Sequence, residues 1–326
     1  MKKVRVLIVD DSPLIRQVMN DILSKVPDFE VVGRAANGKE GVALSKSLRP
    51  DVVTMDVEMP EMTGLEALKE LMASSPVRVV MVSTKTREGA TTTLEALELG
   101  AIDFVAKPSN AAPSTLHRVA DELIEKIRHA AEARLPIRRI ARTATLPSRT
   151  SDKVVVVASS TGGPRALTTL FQSLPKGLRV PMLIVQHMPE GFTASLAQRL
   201  DAIGTMPCKE AKHGDKVQPG LAYVAPGNKH MRVDKHGNIA LDESDRLHGV
   251  RPAADHLFVS AVEAWGSKCV GLVLTGMGKD GAAGALAIKR SGGTVFGESQ
   301  ESCTVYGMPK AAKEIGGVNA EFPIDQ

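Results

Sequence analysis

The amino-acid sequence predicts two α/β domains, each built around a doubly wound parallel sheet. The length of 326 residues exceeds the usual size of one domain, roughly 100–200 residues. Short aliphatic runs alternate with amphipathic helical patterns in both halves, which is typical of parallel sheets covered by helices on both faces. Glycine content also divides the chain, because 22 of the 28 glycines follow residue 150.

The first half begins with a strand and a helix that have clear boundaries. The aliphatic run Val4–Val9 predicts a buried strand. Ser12 followed by Pro13 predicts the first turn of a helix, because serine caps helix N-termini and proline fits the first helical position. The same reasoning predicts strands at residues 51–55, 78–82 and 101–105 and helices at residues 38–48, 65–73, 91–99 and 116–133.

The second half repeats this alternation with longer loops. Aliphatic strands are predicted at residues 154–158, 182–186 and 269–274, and a turn and a helical pattern follow each of them. Residues 231–233 and 239–241 flank the turn-forming sequence Asp-Lys-His-Gly-Asn, which predicts a small hairpin insertion.

A basic segment separates the two halves. Six basic residues and one acidic residue lie between positions 134 and 153, a net charge of +5 in a chain whose total is +4. The segment has no aromatic residue to stack on a base, and it contains proline, serine and threonine. We interpret residues 126–152 as a helix end and a linker between domains at 1–125 and 153–326, and we expect no nucleic-acid partner.

Composition excludes several other protein classes. Cys208, Cys269 and Cys303 are widely spaced and form no C-x-x-C motif, which excludes a disulfide framework and a cysteine-rich zinc module. The longest aliphatic runs fall far short of the ~20 residues that span a bilayer. The N-terminal apolar run ends at Asp10 and Asp11, too early for a signal peptide. We therefore expect a cytoplasmic protein without membrane insertion.

Polar residues follow the strands of the first domain, at the edge where open parallel sheets bind ligands. They are Asp10 and Asp11 after the first strand, Asp56 after the third, Ser83 after the fourth and Lys107 after the fifth. Three carboxylates brought together repel one another and favour a hard divalent cation such as Mg²⁺. A lysine and a hydroxyl beside them suit the oxygens of a phosphoryl group.

These positions lie in segments that resemble response-regulator receiver domains over residues 1–125. The segments are IVDDS, VTMDVEMPEMTG, VVMVS and FVAKP. The resemblance implies a flavodoxin-like fold with Asp56 as the phosphoacceptor. It also implies phosphoryl contacts from Ser83 and Lys107, and an orientation of Phe104 that changes with activation.

The same resemblance implies a metal ion. In that family Mg²⁺ would be held here by Asp11, Asp56 and the backbone carbonyl of Glu58, while Asp10 would act through water. The phosphoryl group would come from a histidine kinase. The second domain is expected to use no cofactor.

A hydroxyl, an imidazole and a carboxylate follow strands of the second domain. The strand at 154–158 runs into Ser159 and Ser160 before two glycines and a helix, a turn that exposes a hydroxyl near backbone N–H groups. Two adjacent serines leave the nucleophile open, and a helix cap is the alternative role. His187 follows the strand MLIVQ, and Asp280 lies beyond the strand CVGLVL. Placed at one edge, the three groups predict a nucleophile, a base and an orienting acid.

The loop with Asp280 also matches a dinucleotide-binding fingerprint. Gly276, Gly278 and Gly281 form G-x-G-x-x-G between a strand and a helix, and Glu298 lies about 20 residues further on, where an acid binds ribose. Only 45 residues follow Gly281, which is short for the rest of such a domain. A receiver-coupled NAD-dependent enzyme is therefore the alternative function.

The second half resembles the catalytic domain of the chemotaxis protein-glutamate methylesterase family. The matching segments are SSTGGP, VQHMP, KVQPGLAYVAPGNKH, RPAADHLF and LTGMGKDGAAG. The resemblance implies a Rossmann-like domain with Ser160 as the nucleophile, His187 as the base and Asp280 as the orienting acid. The backbone N–H of Met277 would be an oxyanion donor. Ala158 stands where glycine is usual in the family.

What this family does defines the expected function. The resemblance implies a phosphorylation-regulated serine hydrolase that removes methyl esters from glutamate side chains of methyl-accepting chemotaxis receptors. It also implies deamidation of receptor glutamines. The resemblance implies that the unphosphorylated receiver covers the catalytic cleft and that phosphorylation by the chemotaxis histidine kinase relieves this.

Overall fold

The computed structural model describes residues 3–84, 86–107, 119–135 and 152–326. The chain forms two compact units that divide between residues 136 and 137. The part of the basic segment at 136–151 lies outside the described residues. Within the described ranges, none of the helices has the length and apolar character needed to cross a membrane.

The first unit is a five-stranded parallel sheet in the order β2-β1-β3-β4-β5. This is the order of flavodoxin-like folds, and it confirms the doubly wound sheet that the sequence predicts. The strands are β1 Val4–Val9, β2 Phe29–Ala35, β3 Val52–Asp56, β4 Arg78–Thr84 and β5 Asp103–Lys107. The described helices are α1 Pro13–Leu23, α2 Gly38–Leu48, α3 Gly64–Ser74, α4 Arg87–Leu99 and α5 Ala120–Glu132.

Side-chain caps start the helices that follow the strands. Ser12 Oγ accepts the N–H of Ile15 at the start of α1, next to the end of β1. Thr63 and Glu66 form a reciprocal capping box at the start of α3. These caps fix the turns after β1 and β3, where candidate carboxylates lie.

The sequence patterns predicted no strand at β2, and the expected domain boundary at residue 125 divided the helix α5. β2 is an edge strand with partly exposed residues, so it lacks the continuous apolar run that marks β1. α5 continues to Glu132 and packs on β4 and β5, and Arg78 Nε donates to the Ala133 carbonyl at 2.7 Å. The whole of α5 therefore lies within the first compact unit.

The second unit is a seven-stranded parallel sheet in the order β14-β13-β12-β6-β7-β9-β8. Its strands are β6 Val154–Ser159, β7 Met182–Gln186, β8 Cys208–Glu210, β9 Ala222–Val224, β12 Cys269–Val273, β13 Thr294–Glu298 and β14 Ala320–Phe322. Its helices are α6 Gly163–Ser173, α7 Phe192–Ile203, α8 Ala254–Trp265, α9 Ala282–Arg290 and α10 Met308–Glu314. This confirms the second parallel α/β domain.

The predicted insertion is also confirmed. It is an antiparallel hairpin of β10 His230–Val233 and β11 Ile239–Asp242. In its turn, Asp234 Oδ1 accepts backbone N–H groups from His236 and Asn238, both at 2.8 Å.

Three neighbouring strands position the site in the second unit. In the ladder, Val273 of β12 pairs with Ala158 of β6, and Ser159 of β6 pairs with Gln186 of β7. Because these strands are parallel, the loops after them emerge at one edge of the sheet. The buried Phe258 of α8 packs with β6 and β7 residues in the apolar core behind that edge.

Candidate active site

The first unit gathers two carboxylates around one lysine. Lys107 Nζ lies 2.9 Å from Asp10 Oδ2 and 2.7 Å from Asp56 Oδ2, and all three side chains are buried. The other oxygen of Asp56 accepts the backbone N–H of Val57 at 2.8 Å. Strands β1, β3 and β5 supply these groups from the same edge, as the sequence predicts for parallel strands.

Burial sets the protonation of this cluster. It raises the pKa of Asp56 to about 6; Lys107 opposes the shift and Asp10 adds to it. Burial would lower the pKa of Lys107, but the charges of Asp56 and Asp10 outweigh it, so that pKa lies above its ordinary value. Lys107 is therefore a fixed positive charge at neutral pH, whereas the carboxyl of Asp56, with a pKa of about 6, titrates close to neutrality.

The cluster fits a hard divalent cation. Carboxylate oxygens of Asp10, Asp11 and Asp56 all lie within 4.8 Å of one another, and Asp11 is exposed to solvent. With three carboxylates and one ammonium, the pocket has excess negative charge when all four groups are ionised. Mg²⁺ binds a few carboxylate oxygens and keeps several waters, which suits a pocket open on the Asp11 side.

The remaining receiver candidates lie around this cluster. Ser83 is buried, one residue beyond the β4 partner of Asp56, and its hydroxyl donates to the Gly89 carbonyl at 3.2 Å. Glu58 is exposed in the loop after β3. Phe104 is buried, with Lys126 Nζ 4.9 Å from its ring centroid.

In the second unit, the turn after β6 depends on closely packed glycines. Gly162 has φ +79°, and a Cβ there would lie 2.4 Å from Thr304 Oγ1. A Cβ on Gly163 would lie 2.0 Å from Gln186 Oε1. The two glycines therefore let the chain turn directly from the strand into α6, with Ser160 at the turn.

Burial distinguishes the two adjacent serines. Ser159 is fully buried, and its hydroxyl donates to Gln186 Oε1 at 2.7 Å. Ser160 is partly exposed at the end of the strand. Ala158, two residues before Ser160, has its methyl 3.0 Å from the point where a Cβ on Gly281 would lie. The Ala158 methyl is thus accommodated because residue 281 is glycine.

His187 and Asp280 are in direct contact. His187 Nε2 lies 2.7 Å from Asp280 Oδ2, and Asp280 is 2% exposed. The carboxylate also accepts backbone N–H groups of Ala254 at 2.6 Å and Asp255 at 3.0 Å, at the start of α8. Burial would raise the pKa of Asp280, but His187 and the two amides outweigh it and hold the pKa below its ordinary value. Asp280 is therefore a fixed anion.

Strand register brings Ser160 beside His187. Each residue directly follows one member of the Ser159–Gln186 pair of the ladder, and His187 N donates to the Ser159 carbonyl at 3.0 Å. Since Asp280 engages Nε2, Nδ1 is the ring nitrogen that remains for Ser160. No hydrogen bond joins Ser160 Oγ to this ring within the described chain, so proton transfer requires a closer approach of the two side chains.

The loop after β12 lies against the turn that carries Ser160. Ser160 N donates to the Thr275 carbonyl at 3.0 Å, and Thr275 Oγ1 donates to the Thr161 carbonyl at 3.0 Å. A Cβ on Gly276 would lie 2.7 Å from Ser160 Cβ. Met277 directly follows Gly276, so its backbone N–H lies near the Ser160 turn, and its side chain is 39% exposed.

Glu298 has a structural position behind that loop. It is 3% exposed, Oε2 accepts the Thr275 N–H at 2.8 Å, and Oε1 accepts the Ser302 hydroxyl at 2.8 Å. A ribose-binding acid would present its carboxylate to a ligand, whereas both oxygens of Glu298 are engaged inside the protein. The geometry does not favour the nicotinamide alternative.

Sequence reasoning missed two groups around Asp280 and Ser160. His248 Nε2 lies 3.1 Å from Asp255 Oδ2, and Asp255 Oδ1 accepts the Gly284 N–H at 2.7 Å. Gln186 bridges the serine turn and the histidine loop. Only the segment VQHMP could have indicated Gln186, through its position beside His187; no pattern indicated the His248–Asp255 pair.

Comparisons with known proteins match both units of the chain. The chain matches the family profile for CheB methylesterase over residues 155–326 and that for the response regulator receiver domain over residues 6–120. A protein-glutamate methylesterase/protein-glutamine glutaminase of Thermotoga maritima is 46% identical, over 98% of this chain and 95% of that protein. One from Pyrococcus abyssi is 44% identical, over 100% of this chain and 92% of that protein.

A solved structure supports the second unit separately. The crystal structure of the Thermotoga maritima CheB methylesterase catalytic domain is 46% identical and has a TM-score of 0.52. The matched region covers 54% of this chain and 95% of the chain in that crystal structure. The profile match over more than half of the chain and the full-length similarity lead to one conclusion: this chain belongs to the CheB methylesterase family.

Proposed function

We propose that this chain is a serine hydrolase that removes methyl esters from glutamate side chains of methyl-accepting chemotaxis receptors and deamidates receptor glutamines. The observation that carries the proposal is the His187–Asp280 pair next to the exposed serine turn, at the carboxyl edge of one sheet. The names of full-length relatives support the choice of substrate. The proposed catalytic unit comprises residues 153–326, and it needs no cofactor for this chemistry.

In the proposed mechanism, Ser160 attacks the ester carbonyl while His187 takes its proton on Nδ1. Asp280 holds the ring through Nε2 and stabilises the imidazolium. The backbone N–H of Met277 donates to the tetrahedral oxyanion, an interaction typically worth about 3–4 kcal/mol. Methanol leaves, or ammonia when the substrate is glutamine, and water then hydrolyses the acyl-enzyme to a glutamate carboxylate.

A methanol-release assay on membranes that carry methylated receptors tests this proposal. Ser160→Ala should lower turnover by at least about 10³-fold, because the remaining site cannot form an acyl-enzyme. Ser173→Ala, at the far end of α6, is the matched control and should leave turnover near that of the unchanged chain. Undiminished methanol release from Ser160→Ala would exclude this nucleophile.

We infer that the first unit, with the receiver proposed over residues 1–125, accepts a phosphoryl group on Asp56 from a chemotaxis histidine kinase. Mg²⁺ would be held by Asp11, Asp56 and the backbone carbonyl of Glu58, with Asp10 acting through water. When bound, it would neutralise charge on the transferred phosphoryl group. Lys107 supplies a fixed cation for the phosphoryl oxygens, and Ser83 supplies a hydroxyl donor.

We also propose that this phosphorylation regulates the hydrolase, with residues 137–152, which follow the first unit, as the connection. Aspartyl phosphate can act only by binding more favourably in the active arrangement than in the inactive one. A small phosphodonor with Mg²⁺ should therefore stimulate methanol release by the unchanged chain and by the control Asp21→Asn, but not by Asp56→Asn. Deletion of residues 1–152 should raise basal release; equal or lower release would contradict inhibition by the receiver.

A further inference from the structure

The side chain of Gln186 connects the two loops that carry Ser160 and His187. Gln186 is the last residue of β7 and is 2% exposed. Its Oε1 accepts the Ser159 hydroxyl at 2.7 Å. Its Nε2 donates to the Ser160 carbonyl at 2.9 Å and to the His187 carbonyl at 3.0 Å. One buried amide therefore contacts the backbone of both proposed catalytic residues.

The β6–β7 ladder ends just before these two residues. Its last backbone bond runs from His187 N to the Ser159 carbonyl at 3.0 Å. Past that point, the Gln186 amide joins the serine turn to the histidine loop through the carbonyls of Ser160 and His187. The relative position of the two loops thus depends in part on this one side chain.

An amide suits this place for a chemical reason. Glutamine has two N–H donors and a carbonyl acceptor in one plane, and here both donors meet backbone carbonyls while the acceptor meets a hydroxyl. A carboxylate would offer no donor to the carbonyls of Ser160 and His187. An apolar side chain would leave both carbonyls without this partner.

The packing around Gln186 also restricts its neighbours. A Cβ on Gly163 would lie 2.0 Å from Gln186 Oε1 and 2.9 Å from Ser159 Cβ. Since the amide is held by three hydrogen bonds, it cannot move aside without loss of some of them. The absence of a side chain at Gly163 therefore leaves the space that the Gln186 amide occupies at the start of α6.

We propose that Gln186 is a positioning residue that sets the approach of Ser160 to His187. The proposal rests on the proposed hydrolase function. It gives Gln186 no contact with substrate, so its loss should lower kcat and leave KM nearly unchanged. Small displacements of reacting groups have large effects on rate, with about 100-fold for ~1 Å as a guide.

The first test compares four full-length variants in the methanol-release assay, at a temperature where each is folded. Gln186→Met removes all three hydrogen bonds at similar volume and should lower kcat about 10- to 100-fold. Gln186→Glu keeps the acceptor but loses the donors, and should lose about as much or more. Ser159→Ala removes one bond and spares both carbonyl contacts, so it should lose less. Gln172→Met, on the exposed face of α6, is the matched control and should keep normal kcat.

A second readout separates positioning from mere stabilisation. The rate at which a fluorophosphonate probe labels Ser160 reports the reactivity of its hydroxyl, and it should fall in parallel with kcat in the Gln186 variants. A residue that only stabilised the fold would lower Tm without lowering the labelling rate of the folded protein. Normal kcat and normal labelling in folded Gln186→Met would overturn the proposal.

A double-mutant cycle tests the match with Gly163. Gly163→Ala should displace the amide and lower kcat, and Gln186→Ala should also lower it. If both act through the same contact, the double variant should lose much less than the product of the two single losses. If the double variant instead loses the full product of the two single losses, the two residues act independently, and the proposed contact between them does not set kcat. If the unchanged chain labels with the probe but releases no methanol, the substrate assignment fails, while Gln186 is still judged by the labelling rates.

Discussion

Asp280 lies 2.7 Å from His187 through one oxygen and also receives two backbone N–H groups at the start of α8. The first residues of helix α8 have no side-chain cap from their own segment. Asp280, which lies in another loop, accepts two of the N–H groups that the helix leaves without a backbone acceptor. The residue proposed to orient the catalytic base is therefore also a structural part of the second unit. Changes at Asp280 should affect both activity and stability.

Asp280→Asn should lower kcat by about 10⁴-fold, because an amide cannot stabilise the imidazolium or select the required tautomer. It should also lower the free energy of unfolding by about 1–3 kcal/mol, because one oxygen that accepts N–H groups becomes an NH₂ donor. Methanol release and denaturant unfolding measure the two effects. His187→Ala is the control: it should lose activity with a smaller loss of stability, and equal stability of Asp280→Asn and the unchanged chain would contradict the capping role.

Phosphorylation of Asp56 should depend on pH near neutrality. Its pKa is about 6, so the carboxylate needed as nucleophile is lost as pH falls from about 8 through about 6. Mg²⁺ at the neighbouring carboxylates should favour the anion and move the midpoint to lower pH. Phosphorylation rates with a small phosphodonor, measured across pH at low and high Mg²⁺, check both effects. If the midpoint pH does not change with the Mg²⁺ concentration, the proposal that Mg²⁺ binds beside Asp56 is wrong.

Asp56→Asn should stabilise the first unit at neutral pH. The pKa of Asp56 in the folded chain lies above the ordinary value of 3.8, so the folded state binds the proton more tightly than the unfolded state does. Stability then falls as pH rises from about 4 to about 6, and the loss is complete above that range. Asparagine removes this loss, which is on the order of 3 kcal/mol. Thermal unfolding should show a higher Tm for Asp56→Asn than for the unchanged chain at neutral pH and little difference below about pH 4. An equal gain in Tm at both pH values would show that the ionisation of Asp56 is not its cause.

Glu298 should affect both stability and activity, because it holds the loop after β12 in place through the Thr275 N–H. Glu298→Ala leaves the buried Thr275 N–H without its acceptor, which should cost about 1–3 kcal/mol of stability and lower kcat about tenfold. Glu298→Gln keeps an acceptor and should stay near normal, as should the exposed control Glu301→Ala. Methanol release and thermal unfolding measure the effects. Binding of NADH by the unchanged chain that is lost in Glu298→Ala would instead favour the nicotinamide alternative.

Local patterns were sufficient for much of the fold. Val4–Val9 and Gly38–Leu48 have the predicted bounds, because an uninterrupted apolar run defines a buried strand and Asn37 caps the helix that it precedes. Short strands such as Ala320–Phe322 carry no such pattern, since edge strands are only partly buried. The alternation of strands and helices was enough to indicate two parallel sheets.

The sequence by itself also determined which chemical groups could meet. Ser160, His187 and Asp280 follow apolar strands, and parallel strands end at one edge. The sequence did not determine the surroundings of these groups, because those surroundings come from contacts between segments that are far apart along the chain. Lys107 and Asp10 surround Asp56, Ala254 and Asp255 hold Asp280, and Gln186 lies between the serine and histidine loops. Burial, pKa and side-chain position depend on neighbours that are far apart along the chain, so only the tertiary structure could supply them.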